Sequence, residues 1–479
     1  MTATVAVAAW LGLVVVPAIA SAQPIASGAV FMPYKDARPT IETLRKDLPD
    51  ELLEHDLPAG SDKWPQWARK ADASIRARLA QGDEDSLVNL LLLGRSFTEQ
   101  PRTTQKQIEE IRTNTKGSKS AAGHLPASVE ARLEDFLTAL GRPGGGERIT
   151  FAREFLGARL GSLLTSDAGR AKARDLLLRS IARVLEELEA YDRIIEEAKL
   201  LGNDTAVFVE RSEIYRERGL SSDTSLRPNF GIETALAELL EKGFLKPASI
   251  RRVAVIGPGL DFADKQSGHD FYPQQTIQPF AIMDSLLRLG LAKADELTVV
   301  TLDLSPKVNA HIRRARARGE AGKRYTMQLP LATNGAWTEG FEKYWKRFGD
   351  QIGAETKPVA VPAGVTGLDL RAIAVQPEFA AKLEATDVNI VLQRLELADD
   401  EKFDLVIGTN IFVYYDGFQK SLALTNIARM LRVGGFLLSN QALLEIPSAK
   451  LNWTGYSKVR YSNRTSVDGD FIVWYRRNP

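Results

Sequence analysis

The stretch FDLVIGTNIFVYYDGFQKSLALTNIARMLRVGGFLLSN, Phe403 to Asn440, decides how this chain folds. Asp404 to Ile407 opens an apolar, β-branched run of strand length, with Thr409 and Asn410 at its carboxyl end. Tyr414, Tyr415 and Asp416 make the next segment an aromatic-rich loop. Phe418 to Leu431 carries helical apolar spacing, Gly434-Gly435 supplies a turn, and Gly435 to Leu438 is apolar again. Strand, helix, strand in that order predicts parallel strands joined by a crossover helix. Ligands of such sheets bind beyond the carboxyl ends of the strands, which places Thr409, Asn410 and the tyrosine loop on the functional face.

The same alternation extends toward the amino terminus. Val253 to Ile256 (VAVI) and Leu297 to Leu302 (LTVVTL) read as buried parallel strands, with helical spacing between them from Pro279 to Leu291. Toward the carboxyl terminus, Lys458 to Tyr461 and Phe471 to Tyr475 flank Asp468-Gly469 and read as a final antiparallel hairpin. The fold class expected for the second half is therefore α/β, a doubly wound sheet with a terminal antiparallel hairpin. No internal repeat is present.

The first half reads as helical. Ile75, Leu79, Leu87, Leu90, Leu91 and Leu93 recur at helical spacing after Trp64, around an expected break at Gly82-Asp83. Thr113 to Ala122 reads as a loop and Arg142-Pro143-Gly144-Gly145-Gly146 as a breaker. Between Asp167 and Leu201, the residues Leu177, Ile181, Val184, Leu188, Tyr191, Ile195 and Ala198 form one stripe, the packing face of a helical bundle, and Gly202-Asn203 stops the helix. The expected division is a signal peptide or anchor at 1–22, an extended lead-in at 23–60, an all-α helical domain at 61–227, and the α/β domain at 228–479.

Composition narrows the chemistry. Lys+Arg is 62 against Asp+Glu 61, so a net charge of +1 gives no global reason to expect a nucleic-acid partner. With no cysteine, disulfides, thiolate metal sites and thiol nucleophiles are excluded. Only His55, His124, His269 and His311 are present, too few for a His-rich metal site, and no metal is expected. Val5 to Ala20 is apolar and uncharged and ends in Ala20-Ser21-Ala22, the small-x-small pattern of a signal-peptidase site. It is short for a membrane span, and the first basic residue is Lys35, whereas export signals normally begin with Lys or Arg. The expectation is an exported or N-terminally anchored chain; a mis-called start would make it cytoplasmic. No membrane span is expected beyond that anchor.

Candidate site residues follow the strands. In VAVIGPGLDF, Val253 to Phe262, a strand runs directly into Gly257-Pro258-Gly259, where the backbone turns sharply and can approach a ligand without a Cβ in the way; the other reading is an ordinary turn. Asp303, at the end of the second strand, is placed either to accept bonds from ribose hydroxyls or to cap the helix that begins near Pro306. The segment from Asp264 to Pro273 is polar and aromatic and reads either as a lid or substrate contact or as a surface excursion, and His269 within it is a candidate general base. A second insertion spans Met327 to Glu384, where Trp337, Phe341, Tyr344 and Trp345 read as packing residues. The basic run His311 to Arg318 reads as a solvated helix face rather than an acidic-substrate site.

Taken together, the glycine turn, the acidic strand end, the FDLV-to-YYD block and the MLRVGGFLL turn resemble the class I S-adenosylmethionine-dependent methyltransferases, with a Rossmann-like sheet. The Asn-aromatic-Asp run resembles the chemotaxis-receptor methyltransferase group most. The resemblance covers about the last 230 residues, one domain by size. It implies S-adenosylmethionine as cofactor and a small-molecule or protein methyl acceptor. It implies that Gly257 and Gly259 approach the methionine part, Asp303 holds the ribose, Asn410 sits beside the sulfonium, and Gln393-Arg394-Leu395-Glu396 lies near the adenine. Tyr414, Tyr415 and His269 are then candidates on the acceptor side. Two positions depart from the pattern: Val255 stands where the family carries an acidic residue, and Asp261 replaces the third glycine, restoring the charge or blocking entry. Those departures admit a second reading, a catalytically inactive binding or scaffold module. A nicotinamide-dependent oxidoreductase is disfavoured because GPGLDF lacks the third glycine of that fingerprint.

Overall fold

The computed structural model describes residues 28–45, 62–115, 125–161, 164–200, 218–262, 269–463 and 468–479. Its strands are β1 (Ala29–Phe31), β2 (Arg252–Ile256), β3 (Thr298–Asp303), β4 (Tyr325–Ala332), β5 (Gly353–Thr356), β6 (Leu368–Val375), β7 (Leu383–Asp387), β8 (Gln393–Leu395), β9 (Phe403–Gly408), β10 (Leu431–Ser439), β11 (Leu451–Arg460) and β12 (Gly469–Arg477). Seven of them form one sheet in the order β11-β12-β10-β9-β2-β3-β7. The pairs β10–β9, β9–β2, β2–β3 and β3–β7 are parallel, and β10–β12 and β11–β12 are antiparallel. From β2 the chain winds outward through β3 to β7, then returns to β9 and winds the other way to β10. The order therefore reverses between β2 and β9, the switch point at whose carboxyl ends ligands of such sheets bind.

The period of two in the sequence explains the sheet. Val253 and Val255 of β2 join one hydrophobic core, and Ala254 and Ile256 join the other. Leu405 and Ile407 of β9 face the first core, while Phe403 and Val406 face the second. Helix Gln278–Arg288 covers one face and helix Gly417–Met430 the other. Asp416 caps the latter by accepting from the Gln419 amide at 2.7 Å, and Gln419 returns the bond, so this carboxylate is explained by a capping box. The terminal hairpin forms as expected, but its strands are longer and Gly469 pairs with Arg460, so the turn is wider than Asp468-Gly469 alone.

The second insertion builds its own antiparallel sheet, β4-β6-β5, flanked by helix Glu339–Arg347. Tyr325, Met327, Leu329 and Leu331 alternate into the core, and Phe341, Tyr344 and Trp345 are buried beside them, as packing residues should be. Trp337 is half-buried, with the Arg227 guanidinium 4.5 Å from its ring centre.

The first half departs from its sequence reading at two points. The segment read as an extended lead-in carries β1, which pairs with β8, and helix Tyr34–Thr43, which lies on helix Gly417–Met430. Its buried Asp36 pairs with Arg394 and Arg429, each at 2.7 Å, so a charge pair fixes what hydropathy alone does not show. Gly82-Asp83 is not a break either. Helix Trp64–Leu93 runs through it unbroken, and Gly82 is there because a Cβ would overlap the Leu220 carbonyl. This helix buries Trp64, Ala68 and Ile75 in the α/β domain and Leu87 to Leu92 among helices Ala127–Gly141, Gly146–Leu160 and Asp167–Leu200. Leu177, Ile181 and Val184 of the predicted stripe are buried there; the side chains of Leu188, Tyr191, Ile195 and Ala198 lie outside the described ones. The 142–146 breaker separates two helices, with Gly144, Gly145 and Gly146 all at positive φ. Residues 1–22, His55, His124, 116–122 of the predicted loop, Gly202-Asn203 and 264–268 lie outside the described residues. No helix among the described residues is long and apolar enough to cross a membrane.

Candidate functional site

Three strand tips meet at the switch point. Gly257 follows β2, Asp303 ends β3, and Thr409-Asn410 follow β9. Gly257 and Gly259 adopt φ of 60° and 64°, the left-handed region in which glycine carries no penalty. Both also touch protein: a Cβ on Gly257 would overlap Ile411 Cδ1, and one on Gly259 would lie 2.6 Å from the Ser222 carbonyl oxygen. Close approach is needed, then, and here the approaching groups belong to the chain itself.

Asp303 ties the second tip to the first. One carboxylate oxygen accepts from the Ser305 amide at 2.7 Å, and the Gly259 amide also donates to the carboxylate. Helix Pro306–Glu320 is capped at Ser305 rather than by the Asp303 side chain, whose carboxylate joins the helix entry to the glycine turn. Burial raises its pKa to about 6, against the lowering effect of those two amides. Asp303 pairs in register with Asp387 at the tip of β7. The exposed Asp387 carboxylate takes a two-bond contact from Arg76 of helix Trp64–Leu93, at 2.7 and 3.2 Å.

Asn410 is exposed and left-handed, φ 59°, a conformation uncommon for a residue with a Cβ. Its amide donates to Asn440 Oδ1 at 2.8 Å, and Asn440 Nδ2 donates to Asn410 Oδ1 at 2.7 Å. Beside it the Thr409 hydroxyl accepts from Gln278 Nε2 at 2.8 Å. Tyr414 closes a short helical turn, and its carbonyl accepts from Arg78 at 2.9 Å. Tyr415 is buried, and desolvation raises the pKa of its phenol.

Asp261 and His269 line a separate cleft of about 490 Å³, together with Arg227, Tyr272, Gln328 and Trp337. That volume suits a small molecule. The Asp261 carboxylate accepts from the Tyr272 hydroxyl at 2.8 Å and Gln275 Nε2 at 2.9 Å. His269 Nδ1 stands 3.0 Å from Arg102 Nη2; a guanidinium only donates, so this nitrogen is the acceptor and is engaged. Gly257, Gly259, Asp303 and Asn410 are not among the residues lining this cleft. The expected site is therefore divided: one group gathers at the strand tips, and Asp261 and His269 face the cleft.

Gln393-Arg394-Leu395 is β8, paired with β1; Arg394 is committed to Asp36, and Gln393 Oε1 accepts from Arg76 at 3.4 Å. The residue paired in register with Asp303 is Asp387. Asp387, Arg76 and Asn440 escaped the sequence reading because their roles come from pairing across long separations. Only Asp387 carried a signal, as a carboxylate at the end of a β run.

No protein-family model matches the chain, and no curated protein matches it. Solved structures resemble it at low identity. The N-methyltransferase NodS from Bradyrhizobium japonicum is 14% identical over 52% of this chain and 95% of its own, with a TM-score of 0.25. A TehB-like SAM-dependent methyltransferase from Corynebacterium glutamicum is 11% identical over 60% and 97%, at 0.24. Magnesium protoporphyrin IX methyltransferase from Synechocystis, with bound SAM, is 10% identical over 58% and 85%, at 0.25.

Proposed function

We propose that the α/β domain binds S-adenosylmethionine at the strand-tip crevice and transfers its methyl group to an acceptor that is a small molecule or a protein. The observation that carries this reading is the convergence at the switch point of the Gly257–Gly259 turn, the Asp303 carboxylate and the left-handed Asn410. A strained, exposed residue at such a place is a mark of a functional position. The order of motifs along the chain supports the same reading. The finer likeness to chemotaxis-receptor methyltransferases rests on the Asn410-to-Asp416 run alone, and Asp416 serves a helix cap.

Methyl transfer asks the protein to hold two reactants close and aligned, and needs no protein nucleophile. Asp303 suits the ribose hydroxyls, because an ionised carboxylate accepts several hydrogen bonds. In the present conformation the group does not fit: Ile411 lies against Gly257, the 222–224 segment lies against Gly259, and Asp303 is 7% exposed.

Calorimetric titration of the full chain with S-adenosylhomocysteine tests the reading. Saturable binding of one equivalent is expected, and no heat of binding at millimolar ligand would overturn it. Because the donor is a metabolite of the cytosol, sequencing the amino terminus of the native protein separates an exported chain, beginning near Gln23, from a cytoplasmic one.

A further inference from the structure

We infer that Arg218 to Thr224 is a strap laid across the glycine turn, and that it must lift before an adenosyl compound can enter the crevice. This rests on the reading that the crevice takes such a compound, and it explains why the crevice is closed here.

The strap runs between helix Trp64–Leu93 and the turn after β2. On the turn side, the Leu260 amide donates to the Ser222 carbonyl at 2.7 Å and the Thr224 amide donates to the Leu260 carbonyl at 3.0 Å. On the helix side, the Leu220 amide donates to the Arg78 carbonyl at 3.0 Å, Arg78 Nε donates to the Arg218 carbonyl at 3.0 Å, and the Ser86 hydroxyl lies 3.1 Å from the Asp223 carboxylate. Two glycines permit the fit. A Cβ on Gly82 would overlap the Leu220 carbonyl, and one on Gly219 would overlap the backbone of Gly82. Leu220 is buried in the same cluster as Ile256, Leu302, Leu304 and Tyr415.

The strap is secured outside the sheet. It joins no sheet beyond a single bridge, Asp223 to Leu260. The Ser222 hydroxyl is buried beside Gly259 with no hydrogen-bond partner among the described residues, a contact left for something else to complete. β2, by contrast, is hydrogen-bonded along both edges. A segment outside any sheet, held by these bonds, the Arg218–Glu187 ion pair at 2.9 Å and one buried leucine, opens locally, below the free energy of global unfolding.

Gly82→Ala is the discriminating variant. Alanine favours the helix but puts a methyl group where the Leu220 carbonyl lies, so the helix persists and the strap is pushed off. Leu220→Ala loosens the strap without touching the helix, and far-UV circular dichroism checks that both variants fold. In the wild-type chain, the amides of Leu220, Thr224 and Leu260 are expected to exchange with deuterium at least about tenfold faster than those of β2, by local opening. Stopped-flow association of S-adenosylhomocysteine is expected to quicken by about tenfold in both variants, since the competent state is then more populated. Strap amides that exchange only together with β2, or association rates unchanged in both variants, overturn the strap and leave the methyl-transfer reading standing. Absence of binding to all three chains at millimolar ligand overturns the methyl-transfer reading, and the strap's role as a gate with it.

Discussion

Asn410 and Asn440 hold each other by two hydrogen bonds of 2.8 and 2.7 Å, joining the tips of β9 and β10 across thirty residues of chain. The first residue sits in the left-handed region, and the second keeps it there. Such a conformation costs about 1–3 kcal/mol and persists where the surroundings over-determine it.

Asn440→Ala removes both bonds. It is expected to lower stability by about 1–2 kcal/mol in urea denaturation, and to weaken S-adenosylhomocysteine binding more than a surface alanine does. Asn410→Gly loses one bond but relieves the backbone, so its cost is expected to be smaller. Equal losses in the two variants would contradict the clasp.

Asp303 predicts how binding depends on pH. Its folded pKa of about 6 lies above the ordinary 3.8 because the group is buried. The carboxylate is the better acceptor for ribose hydroxyls, so adenosyl affinity is expected to rise as pH increases through about 6 and then level. Asp303→Asn is expected to bind weakly at every pH. The effect on stability has a definite sign. With the folded value raised, this group favours the folded state most below pH 3.8, and that contribution is lost as pH rises through about 6.

His311 works in the opposite direction. Burial, with Arg314 adding, lowers its pKa from 6.5 to about 4, and its Nε2 meets the Tyr325 hydroxyl at 2.8 Å. The Thr276 amide already donates to that hydroxyl, so the tyrosine proton points to a neutral imidazole. Stability is full above pH 6.5 and is lost as pH falls toward 4, by roughly 3 kcal/mol for a shift of this size. Denaturant titrations of wild type and His311→Gln across pH 7 to 4.5 check it; the variant is expected to show a flatter profile.

Arg132 is fully buried and gives its guanidinium protons to the carbonyls of Leu91, Gly94, Gln100 and Pro101. Burial lowers its pKa to about 10, so it stays charged at neutral pH. Arg132→Met leaves those acceptors in an apolar setting and is expected to cost at least about 3 kcal/mol. Arg132→Lys keeps the charge but not the fork, and is expected to recover less than half of that loss. Thermal melting of the three chains gives the order.

The α/β half was legible because its strands are short, β-branched and bounded by glycine, and because both faces are buried. Helix Phe418–Leu431 and strand Val253–Ile256 were read almost residue for residue. Gly82 misled for a physical reason: a glycine inside a helix looks the same in sequence whether it ends the helix or lets another chain segment come close. Helix Tyr34–Thr43 was hidden by Pro39 and by an anchoring charge, Asp36, whose partners lie far along the chain. At the site, the glycine turn and Asp303 were visible as strand-end chemistry. Asn440, Arg76 and the strap were not, since each acquires its role only when distant segments meet.

The 30-residue helix from Trp64 to Leu93 is a beam built into two buildings at once. At about 1.5 Å per residue it is some 45 Å long, with one end mortared among the strands and the other among the bundle. Neither structure can collapse while the other keeps its half of the beam straight, so heating is expected to give one calorimetric peak rather than two.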